Sequence, residues 1–159
     1  LSINALMVVL LQFPISRRLT DRPPLLMMAF GTALYALGFA MYGVVSDRGM
    51  FILAMVIITF GEMIVSPVAQ SLTARFAPED MRGRYMAVFG LSVSVPAALG
   101  PVAAGLVLDN YRPNLLWHLS ALICAVSGLS FYALHVRLGA ESRFAPVPAP
   151  VDATRFATD

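Results

Sequence analysis

The chain has 159 residues, of which 58% are hydrophobic and only 13% charged, and its mean hydropathy is +0.77. A water-soluble domain of this length carries about a quarter charged residues and has no interior large enough to hide so much apolar surface, so composition points to a bilayer as solvent. The formal net charge of +2 is too small to suggest a nucleic-acid partner, and the single cysteine, Cys124, excludes an internal disulfide or a cysteine metal cluster.

A helix needs about 20 mostly apolar residues to cross roughly 30 Å of hydrocarbon. The opening run, residues 1–15, is shorter than that and lacks the charged flank of a signal peptide, so it reads as the end of a span whose beginning is missing. Four full spans follow at 24–45, 50–72, 85–108 and 114–136, separated by charged or proline-containing turns. Backbone in hydrocarbon must satisfy its own hydrogen bonds, which leaves helices as the form these runs take. The predicted fold is an all-α membrane protein with about five transmembrane helices, the first truncated, over residues 1–136. Residues 137–159, with Pro146, Pro148 and Pro150, lack helical periodicity and are expected to form a disordered tail.

Every basic residue is arginine, and the arginines alternate between connections. Arg17, Arg18 and Arg22 precede the second span; Arg48 stands alone; Arg75, Arg82 and Arg84 follow the third; Arg112 stands alone; Arg137, Arg143 and Arg155 follow the last. The positive-inside rule places the first and third connections and the C-terminus in the cytoplasm. Glycines and alanines crowd the second span (Gly31, Gly38, Gly43) and the fourth (Gly100, Gly105), where they would admit close neighbours.

Glu62 lies about 18 Å of helix from the start of its span at residue 50. A carboxylate at that depth costs about 2.5–3.5 kcal/mol on insertion scales, so it is expected to face a cavity or a partner. Thr59, Glu62, Ser66, Gln70 and Thr73 are spaced three, four, four and three apart, which stacks them on one helix face. Pro67 within that stretch frees a backbone carbonyl and bends the helix. A face carrying a carboxylate, hydroxyls and an amide is what a solute or proton path requires. Two readings of Glu62 stay open here: a coupling or substrate-contacting carboxylate, and a structural one hydrogen-bonded to a neighbouring helix. Asn4 and Gln12, two turns apart in the first span, are candidates for the same cavity. Ser92 and Ser94 precede Pro96, where helix bending accounts for them as well as solute contact does. His118 and His135 sit near the ends of the last span, as interfacial anchors do.

Arg18-Leu19-Thr20-Asp21-Arg22 resembles the second copy of the cytoplasmic motif A of the major facilitator superfamily, with Arg17 where that motif has Gly and Pro23-Pro24-Leu25 replacing its closing segment. Gly61-Glu62, Pro67 and Pro78-Glu79-Asp80-Met81-Arg82-Gly83-Arg84-Tyr85 resemble the tenth helix and following loop of proton-coupled drug exporters. Gly100-Pro101-Val102-Ala103-Ala104-Gly105 is similar to the end of antiporter motif C as it recurs in the eleventh helix, with Pro96 and Ala87 at its upstream glycine positions. The resemblance implies spans eight to twelve of a twelve-helix transporter, a partial six-helix bundle that rocks against missing N-terminal helices around a midplane site. It implies that Arg18, Asp21 and Arg22 belong to a conformational loop, and that the tenth and eleventh helices help enclose the path while the ninth and twelfth are peripheral. No cofactor is expected. The partners expected are a small-molecule substrate, the lipid bilayer and the missing helices, in a bacterial inner membrane.

The function expected is proton-coupled efflux of small amphipathic compounds, with uptake of a small metabolite by the same fold as the alternative. A membrane-embedded enzyme or a non-transporting receptor is the rival from another class. Against the enzyme, Gly90-Leu91-Ser92-Val93-Ser94 lacks the second glycine of a nucleophile elbow, and no His and carboxylate spacing suits a metal.

Overall fold

The computed structural model describes residues 2–19 and 22–138. These form five α-helices, α1 (Ser2–Leu19), α2 (Pro24–Val44), α3 (Arg48–Phe76), α4 (Arg82–Asn110) and α5 (Pro113–Leu138), with a 3-10 turn at Glu79–Met81; no strand occurs among the described residues. Four of the helical segments, all but α1, are long and apolar enough to cross a membrane.

Four of the five helices run past the apolar stretches, and α2 keeps to its own, because helix ends are set by local chemistry. Pro24 opens α2 at the first helical position, where its missing N–H costs nothing. Asp47 caps α3, its Oδ1 accepting from the Met50 N–H at 2.9 Å. Pro78 disfavours helical backbone at Ala77, and α3 closes there with the Ala77 N–H donating to the Thr73 carbonyl at 3.2 Å. Arg17, Arg18 and Arg75 thus belong to last helical turns rather than to loops, where cations offset the negative end of the helix dipole. Of the tail expected at 137–159, Arg137 and Leu138 close α5, while residues 139–159, with Arg143 and Arg155, and Asp21 of the motif A-like loop lie outside the described residues.

The second helix is the hub, packed against α3 on one side and α5 on the other, with α1 on the far side of α3. Glycine makes both seams close. A Cβ at Gly61 would stand 2.8 Å from the Gly31 carbonyl oxygen, and one at Gly38 would overlap the Ile58 side chain and meet the Ala54 carbonyl at 3.1 Å. On the other side, a Cβ at Gly128 would stand 2.9 Å from the buried Thr32 hydroxyl, and Gly43 lies under the His118 ring. Thr32 satisfies itself by donating to the Met28 and Ala29 carbonyls at 2.7 and 3.0 Å.

The small residues of the fourth helix, Gly100 and Gly105 among them, have no close neighbour among the described residues: a Cβ at either position would meet nothing within 4 Å. The helix touches α3 and α5 but buries none of its residues. Small size permits close approach without supplying the partner, and no described helix lies against that face.

Candidate functional site

The polar face of α3 meets α1, and the two helices run parallel, so residues low in one face residues low in the other. Glu62 is the central residue of the 29-residue α3. Gly61 and Met63, its neighbours in sequence, turn into the protein: Gly61 against α2, and Met63 to 0% exposure. Glu62 itself projects to an exposed position beside α1.

Three polar groups tie the helices together around it. Asn4 Nδ2 donates to the Thr59 hydroxyl at 2.9 Å and stands 3.4 Å from Glu62 Oε2. Thr59 is completely buried and donates to the Met55 carbonyl at 2.8 Å, so its hydroxyl both gives and receives. A buried hydroxyl with both functions satisfied carries no desolvation penalty, and it holds Asn4 in reach of the carboxylate.

One turn further on, Pro67 has no N–H to offer the carbonyl four residues earlier, which is Met63. Gln12 Nε2 supplies the missing donor, reaching the Met63 oxygen at 3.3 Å while also approaching Ser16 Oγ at 3.1 Å. A backbone acceptor exposed by proline in one helix is thus satisfied by an amide from the next, as buried acceptors require.

Gln12, Glu62, Ser66, Pro67 and Gln70, with Val8, line a single cavity of about 320 Å³. The structure therefore brings together all six residues singled out for a path: Glu62, Ser66, Gln70 and Gln12 on the cavity wall, Asn4 and Thr59 hydrogen-bonded at its edge. Among the described residues no cation pairs with Glu62; its contact is the Asn4 amide. Thr73, the last residue of the polar face, lies beyond the cavity lining and donates to the Ala69 carbonyl at 2.9 Å. Chemically the wall offers one carboxylate, one hydroxyl and two amides, a set able to take a proton, a small cation or a polar solute. No group of three or more His, Cys, Asp or Glu suited to a metal ion occurs among the described residues.

The other candidates do not join this site. Ser92 and Ser94 on α4 turn back onto the Phe89 and Gly90 carbonyls at 2.7 and 2.9 Å, just before Pro96. Arg18 and Arg22 are exposed at the far ends of α1 and of the turn before α2. His118 Nδ1 is 2.6 Å from the Asn114 carbonyl, which makes that nitrogen the protonated one.

An aromatic ladder escaped notice in the sequence although its spacing was the signal. Tyr35, Phe39 and Tyr42 share one face of α2; Tyr35 stacks on Phe39 at 6.1 Å, and Trp117 of α5 lies 6.3 Å from Phe39 and 5.0 Å from Tyr42. Phe51 of α3 closes it at 4.9 Å from Tyr42. The ladder fastens α2 to α5 and α3 at the end opposite the arginine-rich one.

Residues 1–156 match the family model of the Major Facilitator Superfamily. The chain is 33% identical over 100 residues to a Na(+), Li(+), K(+)/H(+) antiporter of Planococcus maritimus, covering 63% of this chain and 24% of that protein. It is 30% identical over 125 residues to the uncharacterised MFS-type transporter YdeE of Escherichia coli K12, covering 77% of this chain and 31% of the relative. A third relative, the uncharacterised MFS-type transporter YhjO of Bacillus subtilis, is 28% identical over 128 residues, covering 80% of this chain and 32% of its own length. The chain thus spans a quarter to a third of the length of these three relatives, and no solved structure matches it. With its long apolar helices and these transporter relatives rather than enzymes, the chain is a partial helical bundle of an integral, multi-pass membrane protein and belongs to the Major Facilitator Superfamily.

Proposed function

We propose that the chain forms the C-terminal transmembrane part of a proton-coupled secondary transporter, exporting small amphipathic compounds, and that Glu62 is the carboxylate through which proton and solute are exchanged. The observation that carries this reading is the convergence of Gln12, Ser66 and Gln70 with Glu62 on one cavity between α1 and α3, halfway along α3. A carboxylate at mid-membrane depth is expensive unless its position is used. The cavity offers both a group that can lose a proton and neighbours that can hold a polar solute, which is what alternating access needs at its midplane site. In this reading residues 1–136 belong to the C-terminal bundle, the first helix continues upstream, and the remaining helices of a twelve-helix protein complete the path. The arginine-rich ends and the tail face the cytoplasm of a bacterial inner membrane, with Arg18, Asp21 and Arg22 in a loop that moves as the halves rock.

Glu62→Gln keeps the size of the side chain and an oxygen that can accept from Asn4, but removes the carboxylate that can bind and release a proton. In everted vesicles carrying the full-length protein, the variant is expected to lose proton-coupled transport while its abundance in the membrane is unchanged. Wild-type transport rates in the variant overturn the assignment. Counterflow in proteoliposomes then separates export from uptake.

A second reading has its own support. One relative is named a Na(+), Li(+), K(+)/H(+) antiporter, and the cavity wall presents carboxylate, hydroxyl and amide oxygens, the ligand type that hard cations take. Collapse of a pH gradient on adding sodium, lithium or potassium to the same vesicles favours exchange of monovalent cations over export of amphipathic compounds.

A further inference from the structure

A second cleft lies at the arginine-rich end of the bundle, where the last turn of α1, the start of α2 and the last turn of α3 come together. It has a volume of about 220 Å³, and Arg22 and Arg75 both line it, together with the hydroxyl-bearing Ser16 and Ser71 and the apolar Leu19 and Leu72. The two arginines come from different elements, so their approach is a product of the fold rather than of the sequence. Among the described residues no acidic side chain lines the cleft and neither arginine has an ion-pair partner. Of the other arginines of that end, Arg17 and Arg18 close α1 outside the cleft lining, and Arg82 and Arg84 come two to five residues after the acidic pair Glu79 and Asp80.

The start of α2 adds to this field. Pro24 of the cleft wall is its first residue, its first turn carries no acidic residue, and proline, with no polar side chain, occupies the capping position. The partial positive charge of a helix N-terminus is therefore directed at the same space as two guanidiniums. Arginine's planar fork suits the tetrahedral oxygens of phosphate, and serine hydroxyls take the oxygens that remain. The apolar part of the wall settles the source of the phosphate. Leu19 and Leu72 lie in the cleft, and Phe76, next to Arg75, is 58% exposed. An ion from water has no use for such a wall, whereas the glycerol and first methylenes of a lipid do.

We propose that this cleft binds the phosphate-bearing headgroup of an anionic phospholipid, with Arg22 and Arg75 holding the phosphate, the Ser71 hydroxyl adding a hydrogen bond, and the acyl chains running down the outside of α1 and α3. Basic pockets between membrane helices are where such headgroups bind. The site is separate from the Glu62 cavity and does not depend on what that cavity carries. Pro67 lies in the wall of both, so a lipid bound here would rest on the same helix turn that Gln12 braces from the other side.

The test uses the full-length protein, purified and titrated with phosphatidylglycerol, phosphatidylcholine or inorganic phosphate, with retained lipid read by native mass spectrometry and stability by thermal shift. Phosphatidylglycerol is expected to be retained and to raise the melting temperature, while phosphatidylcholine and inorganic phosphate at the same concentration do neither. Arg75→Gln is expected to weaken phosphatidylglycerol binding about fivefold, the effect of one surface charge near anionic lipid, and Arg22→Gln with Arg75→Gln more than tenfold. The control, Arg82→Gln with Arg84→Gln, removes two charges from the same end outside the cleft and is expected to leave binding within twofold of wild type. Equal retention of phosphatidylcholine, equal protection by inorganic phosphate, or equal loss in the control pair each overturn the proposal. If the double cleft variant does not fold, Arg75→Gln decides alone, since Arg75 is an exposed side chain, and undiminished binding in it counts against the site.

Discussion

The second and fourth helices are built from the same material and end in opposite situations. Both are apolar, both carry several glycines, and both are long enough to cross a membrane. Seven residues of α2 are buried, and its glycines let α3 approach on one side and α5 on the other. No residue of α4 is buried, and its glycines face open space. A small residue is therefore only a permission for two helices to come close. In lipid there is no hydrophobic force pressing helices together, so close contact comes from matched surfaces; among the described residues α2 packs closely against two helices, whereas α4 touches α3 and α5 without burying a residue against either.

The largest expected effect tests the packed side of this contrast. In Gly61→Ala the new methyl stands 2.8 Å from the Gly31 carbonyl oxygen, a backbone atom that cannot swing away. The α2–α3 seam must open, at a cost of about 1–3 kcal/mol, read as a lower melting temperature and a lower yield of folded protein in detergent. Gly100→Ala meets nothing within 4 Å and replaces a poor helix former by the best, so within this chain it is expected to be neutral or slightly stabilising. A loss at Gly100 equal to that at Gly61 would show that the α4 face is packed tightly by helices beyond these residues.

The start of each helix repeats the contrast on a smaller scale. Asp47 caps α3 through the Met50 N–H, while Met81 stands at the same position of α4 and offers no side-chain bond. Asp47→Ala is expected to cost about 1 kcal/mol, a shift of a few degrees in the melting temperature of the purified protein. Met81→Ala, which has no cap to lose, is expected to leave it unchanged, and equal shifts in the two would mean that the Asp47 contact is not a working cap.

Hydropathy and loop charge made the helices and their order legible, because length and apolar run are properties of single segments. The polar face of α3 was legible for the same reason: spacings of three and four residues fix what shares one side of a helix. Asn4 and Gln12 were reachable as polar residues in an apolar run. What could not be read was who meets whom. The 2.9 Å bond from Asn4 to Thr59 joins residues 55 apart, and the meeting of Arg22 with Arg75 depends on three helix ends converging. The small residues of α4 show the same limit, since a surface in sequence carries no mark of whether its partner belongs to the same segment of chain.

Pro67 gives the finest test of how an exposed backbone group is satisfied across helices. The ring removes the N–H that would have met the Met63 carbonyl, and Gln12 of α1 donates there instead at 3.3 Å. Gln12→Leu is expected to cost about 1 kcal/mol, because a buried acceptor is left without a donor. In Pro67→Ala the helix regains its own N–H at that turn, so the Met63 carbonyl no longer depends on α1, and Gln12→Leu should then cost clearly less. The comparison is a double-mutant cycle on melting temperature, and a coupling of about 0.5 kcal/mol or more between the two sites is the expected result. Additive losses would mean that Gln12 acts through the cavity, by its bond to Ser16 and its place beside Glu62, and that the proline-freed carbonyl is satisfied by other means.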